Sequence, residues 1–455
     1  MSQLAKPTTP VAAPRPAGGC QKKESRLDKF TRRLSYPYLH GTYFGVNAIA
    51  DAYLLVDGPN CGFHKAEHVF GAHDWFSSLL DVSGFHRVMH TDVHPNTIIG
   101  GSDERFSAVM KMMARSEVPD VIFLGSMPMA SMTGTDYDGL MAQVLVETNV
   151  PIVNLPDRSL DRDWLDGYAD FLFQIAKDLD PGFPEPEIDD RKVAVVGNLM
   201  HRNEGDMRGN LRELERMCAG AGLELVSVWL EGGRYNDLAR AYEAGHIVSL
   251  PYGRKAAKRL ARKSGAKLVT ADLPLGPEAS ERFVRALGES AGTEDQAERF
   301  IERELGAIAH AWEWLIPKRL QFRRVTYHGD PYLMPGLAEL TRLLAMELVE
   351  LTAYAQPKRG FDPDEKYGER LPVPITWQPR VGIDHDIAHA DQGIDLVIGC
   401  SDTKPLAPPD AAFLEFGYPM RDVHFTGDAP FLGFRGALNL VDRISNAVGD
   451  RASYI

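Results

Sequence analysis

The stretch Ala52-Tyr53-Leu54-Leu55-Val56-Asp57-Gly58-Pro59-Asn60-Cys61-Gly62 decides the fold class. A short apolar run of buried-strand length is stopped at once by a Gly/Pro turn. The same grammar of apolar strand, polar or Gly-containing turn and amphipathic helix recurs outward from it. Val121-Ile122-Phe123-Leu124-Gly125 and Ile152-Val153-Asn154-Leu155 read as strands, and Phe106–Arg115 has helical spacing between them. A second group opens with Lys192-Val193-Ala194-Val195-Val196-Gly197. It continues with a helix near Asn210–Ala221 and strands at Leu225–Trp229, His246–Leu250 and Lys267–Val269, and Pro251-Tyr252-Gly253-Arg254 starts a Lys/Arg-rich helix. A long helical region, Glu294–Leu315, leads to a third group. There a strand opens at Arg324, a helix spans Leu337–Leu351, Asp395–Gly399 is a buried strand and Gly436–Ala447 is a closing helix. Strands alternating with helices predict an α/β protein with parallel sheets covered on both faces. Ligands of such sheets sit at the carboxyl ends of strands, where these Gly/Pro turns lie.

The chain has 455 residues, enough for several domains. The Ala/Pro/Gly-rich start predicts a disordered tail over 1–25, and the run Asp180–Pro186 reads as a linker. The predicted divisions are 26–187, 188–315 and 316–455, the last ending in the closing helix. A formal charge of -13, from 50 basic and 63 acidic side chains, argues against nucleic acid or an anionic membrane as main partner. No apolar run reaches the roughly 18 residues of a membrane span, and the N-terminus lacks the apolar region of a secretory signal. The four cysteines, Cys20, Cys61, Cys218 and Cys400, form no CxxC pair. That usage fits a reduced cytoplasmic protein, and so few thiols make a four-thiolate metal site dependent on another chain.

Cys61 stands between two glycines just after a strand. One reading is a buried structural cysteine; the other is an uncluttered ligand in a turn whose backbone N–H groups favour a thiolate. Directly after it, His64-Lys65-Ala66-Glu67-His68 matches the H-x-x-E-H pattern of a zinc hydrolase, with both imidazoles one helical turn apart and Glu67 as base. That reading needs a further carboxylate the sequence does not assign. The region also carries His40, His73, His86, His90 and His94, either as a surface cluster or as proton-delivering groups near a redox centre. The methionines of Gly125–Gly134 pack under a loop or wall a cofactor or interface. Cys218 falls in a helix and reads as core; Cys400 ends a strand and Cys20 lies in the tail, both weak ligand candidates.

Taken in order, these segments resemble component 1 of the nitrogenase superfamily. His40-Gly41 through Gly58-Pro59-Asn60-Cys61-Gly62 is similar to the family's strand ending in a cluster-ligating cysteine. Ile98-Ile99-Gly100-Gly101, the loop Ser126–Asp136 and Val325–Pro331 match further turns. Asp395–Ser401, Phe416-Gly417-Tyr418-Pro419, Gly433–Ala437 and Arg443–Asn446 resemble its C-terminal signature. The resemblance covers residues 30–450 and implies three Rossmann-like α/β/α domains around a central cleft. It also departs from the full pattern of three cysteines: Tyr36-Pro37-Tyr38-Leu39-His40 has none, and Met127 stands where others place the third. A single remaining ligand resembles the beta-type subunits of chlorophyllide a reductase and of the nitrogenase cofactor-scaffold complex.

The resemblance therefore implies a nitrogenase-like oxidoreductase subunit whose Cys61, presented by Gly58, Pro59 and Gly62, shares a [4Fe-4S] cluster with an alpha-type subunit in a heterotetramer. The electrons would come from an ATP-hydrolysing iron protein and pass to a small-molecule substrate. His64 and His68 would be candidates for proton delivery, and a larger metallocofactor would belong to the partner. Rival readings are a non-catalytic cofactor-assembly scaffold, a homodimer using Cys61 with Cys20, and the zinc hydrolase.

Overall fold

The computed structural model describes residues 34–60, 63–80, 86–94, 96, 103–116, 118–131, 134–148, 150–156, 158–182, 186–359, 361, 370–380 and 393–449. Three sheets follow one another along the chain. The first holds β1 (Ala52–Asp57), β2 (Val88–His90), β3 (Val121–Ser126) and β4 (Ile152–Asn154) in the order β2-β1-β3-β4. The second holds β5 (Asp189–Val196), β6 (Glu224–Val228), β7 (Ala244–Ser249) and β8 (Lys267–Thr270) in the order β6-β5-β7-β8. The third holds β9 (Arg324–Gly329), β10 (Glu347–Ala353), β11 (Ile375–Trp377), β12 (Leu396–Gly399) and β13 (Ala412–Glu415) in the order β11-β10-β9-β12-β13. Every strand pairing among the described residues is parallel. β3, β7 and β12 are buried at every position, as strands covered on both faces should be. In each sheet the order reverses beside its first strand, which places a topological switch point between β1 and β3, β5 and β7, and β9 and β12.

Four helices matter for the site: α1 (Tyr38–Asn47), α2 (Trp164–Asp178), α3 (Gly205–Gly220) and α4 (Gly433–Val448). α1 is buried along its whole length and crosses α2 at Gly41 and Gly167. A Cβ on either glycine would overlap backbone of the other helix, so the contact demands residues without side chains. α2 begins with a capping box: the Asp163 carboxylate accepts from Leu165 N and Asp166 N, and Asp166 returns the bond to Asp163 N. α4 closes over α3, where Asn210 Oδ1 accepts from Phe431 N and Leu432 N at 2.9 Å each.

One expected element is corrected. The predicted helix Leu337–Leu351 ends early, with a helix over Met334–Leu343, and Glu347–Ala353 is strand β10. The i, i+3 and i, i+4 spacing of Leu344, Leu348 and Leu351 imitates a continued helix. The left-handed Ala345 (φ 54°) breaks it, and Val349 and Thr352, β-branched, suit the pairing with β9 and β11. Helices α1, α2 and Pro277–Ala291 were not anticipated by the reading above.

Candidate functional site

The turn after β1 is held from three sides. Asp57, the last residue of β1, is buried, and its carboxylate accepts from Thr91 Oγ1 and Tyr137 OH, both at 2.6 Å. Gly58 N donates to Thr91 Oγ1 (3.0 Å), Gly58 O accepts from Val93 N (3.0 Å), and Met127 N donates to Asp57 O (2.9 Å). Residues following β2 and β3 thus clamp the start of the turn at the first switch point, a position where α/β sheets present ligands. Gly58 lies against the Met127 side chain: a Cβ there would stand 2.6 Å from Met127 Cγ and 2.7 Å from its sulfur. Pro59 is half-buried and Asn60 exposed. Cys61 and Gly62 lie outside the described residues, as do Cys20 and Ile98–Gly101.

The chain re-enters in a helix over Phe63–His68. His64 is exposed and its Nδ1 sits 2.7 Å from Glu67 Oε2. His68 is half-buried; burial first, then Arg421, lowers its pKa, against the opposing pull of Asp402. Among the described residues no group of three His, Cys, Asp or Glu side chains is arranged to hold a metal ion. Among the described residues the pattern His64-x-x-Glu67-His68 is therefore an exposed histidine–carboxylate contact followed by a half-buried imidazole, without the additional ligand a zinc hydrolase needs.

His73, at the end of the following turn, is fully buried. Its Nε2 meets His201 Nδ1 at 2.9 Å, and its Nδ1 lies against Met420 N and O. Sequence reading missed His201, which lies 128 positions from His73. Its signal is the polar run His201-Arg202-Asn203-Glu204, a few residues after strand β5. His201 borders a narrow cavity lined also by Asn198, Tyr252, Asp330 and Tyr418, all of which follow strand ends of the second and third sheets. Tyr252 OH donates to Asp330 Oδ2 at 2.5 Å. Burial pushes the Asp330 carboxyl up to about 6 and the His201 imidazole down to about 3. His40, the other buried histidine singled out near this turn, packs edge-on against Tyr36, Tyr43 and Tyr418.

The remaining candidates scatter. Tyr36 directs its phenol away from the turn, to Asp402 Oδ2 (2.9 Å) and Cys400 Sγ (3.6 Å). Cys400 is buried beside Tyr36 and Thr403, and burial raises its thiol to about 11. Cys218 is buried in α3, raised by burial to about 12, as expected of a core cysteine.

A family model described as nitrogenase component 1 type oxidoreductase matches residues 38–449. The chain belongs to this family. It is similar to the nitrogenase molybdenum-iron protein beta chain of Methanococcus maripaludis, 22% identical across 90% of this chain and 92% of that protein. It is also similar to subunit N of the light-independent protochlorophyllide reductase of Roseiflexus castenholzii, 25% identical across 67% of each. A solved structure of nitrogenase Cp1 at pH 6.5 superposes with a TM-score of 0.78 at 18% identity, covering 95% of both chains, and so shares the fold. No helix among the described residues is long and apolar enough to cross a membrane.

The family implies an iron–sulfur group, and the described residues do not by themselves enclose one. Tyr36 is committed to Asp402, Met127 packs on Gly58, and Cys400 and Cys218 are buried with raised thiols. Cys61 is the one thiol the sequence places in the clamped turn.

Proposed function

We propose that the chain is the beta-type subunit of the catalytic component of a nitrogenase-like reductase. In this reading it contributes Cys61 as one ligand to an iron–sulfur cluster, a [4Fe-4S] centre, that it shares with a homologous alpha-type subunit. The observation that supports it is the cysteine turn at the first switch point, with a thioether and an engaged phenol in place of two further thiolates. A four-iron cluster takes four ligands, so one from this chain leaves three for the partner. Such a cluster, when bound, supplies one-electron transfer. Asp57, Thr91 and Val93 hold the turn's backbone in place, and Met127 fills the space behind Gly58. The electrons would come from an ATP-hydrolysing iron protein and go to a small-molecule substrate; no P-loop occurs in this sequence. Gly62 would keep the ligand's surroundings open. Proton delivery falls to His68 rather than to exposed His64, since a half-buried neutral imidazole is the better neighbour for a buried centre.

Oxygen-free co-expression with a cysteine-richer homologue from the same genome tests this. The two chains should co-purify with iron, sulfide and visible absorbance, and Cys61→Ala should lose the absorbance while keeping its circular dichroism. Full iron content in Cys61→Ala, or wild-type chains that purify together without iron, would sink the reading.

A further inference from the structure

Tyr36 sits at a junction that the electron-transfer reading leaves unused. Its hydroxyl carries one hydrogen, and that hydrogen points to Asp402 Oδ2 at 2.9 Å. The Cys400 thiol, 3.6 Å away, must then be the donor of its contact to the phenolic oxygen. Asp402 is itself braced on its other oxygen by Arg421, at 2.5 Å. On the opposite side the Tyr36 ring meets two more oxidisable rings, with centroids 4.9 Å from Tyr418 and 6.3 Å from Trp164; those two are 5.5 Å from each other.

The three rings differ in where a proton could go. Trp164 is buried and its Nε1 has no hydrogen-bond partner among the described residues. Removing an electron there would strand a positive charge in the interior, which is costly without a compensating group. Tyr36 has a carboxylate already aligned to take its proton. An electron vacancy entering this trio is therefore driven to Tyr36.

From this geometry we propose that Tyr36 is a proton-coupled one-electron redox site, the terminus of a Trp164–Tyr418–Tyr36 relay with Asp402 as proton acceptor. The oxidant class is a one-electron acceptor, an oxygen-derived radical or an over-oxidised metal centre. It gains one electron; the phenolic O–H bond breaks and a new O–H bond forms on Asp402 Oδ2. The products are a neutral phenoxyl radical and a neutral carboxyl group; the unit of positive charge left by the departed electron rests on Arg421, whose partner Asp402 has been neutralised and whose side chain is a third exposed to solvent. Cys400 can then return a hydrogen atom: its S–H bond breaks, the phenolic O–H re-forms and a thiyl radical remains. The phenol's raised pKa, due first to burial, keeps the proton in place until oxidation removes it. The relay drains oxidising equivalents from the interior to a half-buried residue at its edge. It goes beyond the cluster reading and does not depend on it.

The test uses the purified full-length chain and a light-generated ruthenium(III) polypyridyl oxidant, with electron paramagnetic resonance as readout. Wild type should give a tyrosyl radical that forms more slowly in D2O. Tyr36→Phe, which keeps the ring, should lower its yield about tenfold, Asp402→Asn should slow its formation and remove the D2O effect, and Cys400→Ser should lengthen its lifetime. A wild-type signal of unchanged yield in Tyr36→Phe, or unchanged kinetics in Asp402→Asn with an intact melting transition, overturns the proposal. Iron-free protein serves equally well, so a failure of the cluster reading leaves this result interpretable.

Discussion

Arg87 is buried, and among the described residues no carboxylate meets its guanidinium. It donates instead to the carbonyls of Val46 (3.1 Å), Ile49 (2.5 Å), Ala52 (2.9 Å) and Ser78 (3.0 Å), and to Ser78 Oγ (2.7 Å). Burial lowers its pKa to about 10, so it stays charged at neutral pH. One side chain thereby adds charged hydrogen bonds to carbonyls at the end of α1 and the start of β1, two of which, Val46 O and Ile49 O, also accept from backbone N–H groups where the chain reverses. Arg87→Met should cost on the order of 3 kcal/mol, because several charge-assisted hydrogen bonds to the interior are lost at once. Urea titration reads this directly, and a loss under 1 kcal/mol would mean that water replaces the guanidinium. Nothing in the sequence near Arg87 announces this role: apart from Ser78, its partners lie tens of residues upstream and are backbone atoms, which leave no side-chain signature. Cys61 was legible for the opposite reason, since strand, glycine, proline and cysteine stand side by side.

At the scale of elements, the N-terminus of α2 is tied to the third sheet's surroundings by buried ions. Lys358 Nζ reaches Asp163 Oδ1 (2.7 Å) and Asp166 Oδ2 (2.8 Å), and Gln356 N donates to Asp163 Oδ2 (2.6 Å). The same carboxylates cap the helix, so the cap and the tether share their atoms. Lys358→Met should cost about 3 to 5 kcal/mol by leaving two carboxylates without their cation. Combining it with Asp163→Asn should cost less than the sum of the singles, as a double-mutant cycle would show. Strands were the most legible elements because continuous apolar runs bounded by glycine have few other readings. β10 was misread because its leucines keep helical spacing and only the backbone of Ala345 marks the break. α2 went unanticipated, although Asp163 followed three residues later by Asp166 is a local starting signal.

For the molecule as a whole, the buried groups where the second and third sheets meet set a pH response. The folded chain refuses a proton on His201 until about pH 3, whereas an ordinary imidazole accepts one near 6.5. The unfolded chain therefore binds the extra proton below 6.5, and stability falls as pH drops. Between pH 6.5 and 5 this amounts to about 2 kcal/mol for His201, and His73, also depressed by burial first, acts in the same direction. Asp330 opposes them: held near 6 against an ordinary 3.8, it takes up a proton in the folded state first, a gain of about 1 kcal/mol from pH 6 to 5. The net expectation is weaker folding at pH 5 than at pH 7. His201→Gln should flatten that decline and Asp330→Asn should steepen it, as chemical denaturation at a series of pH values would show; parallel profiles would refute the assignment. None of this was visible in the sequence, because the three groups come from distant segments and their acidity depends on burial. The α/β class and the family, by contrast, followed from an ordered set of turns.

The contact between Gly58 and Met127 couples two positions that evolution would otherwise vary separately. Gly58→Ala should cost about 1 to 3 kcal/mol through overpacking, and Met127→Ala, by vacating that volume, should act as its second-site suppressor. A selection for folded, soluble variants starting from Gly58→Ala should then return shortened residues at position 127 ahead of changes elsewhere. Conversely, restoring a thiol at 127 would loosen the wall behind the turn before it added any new chemistry.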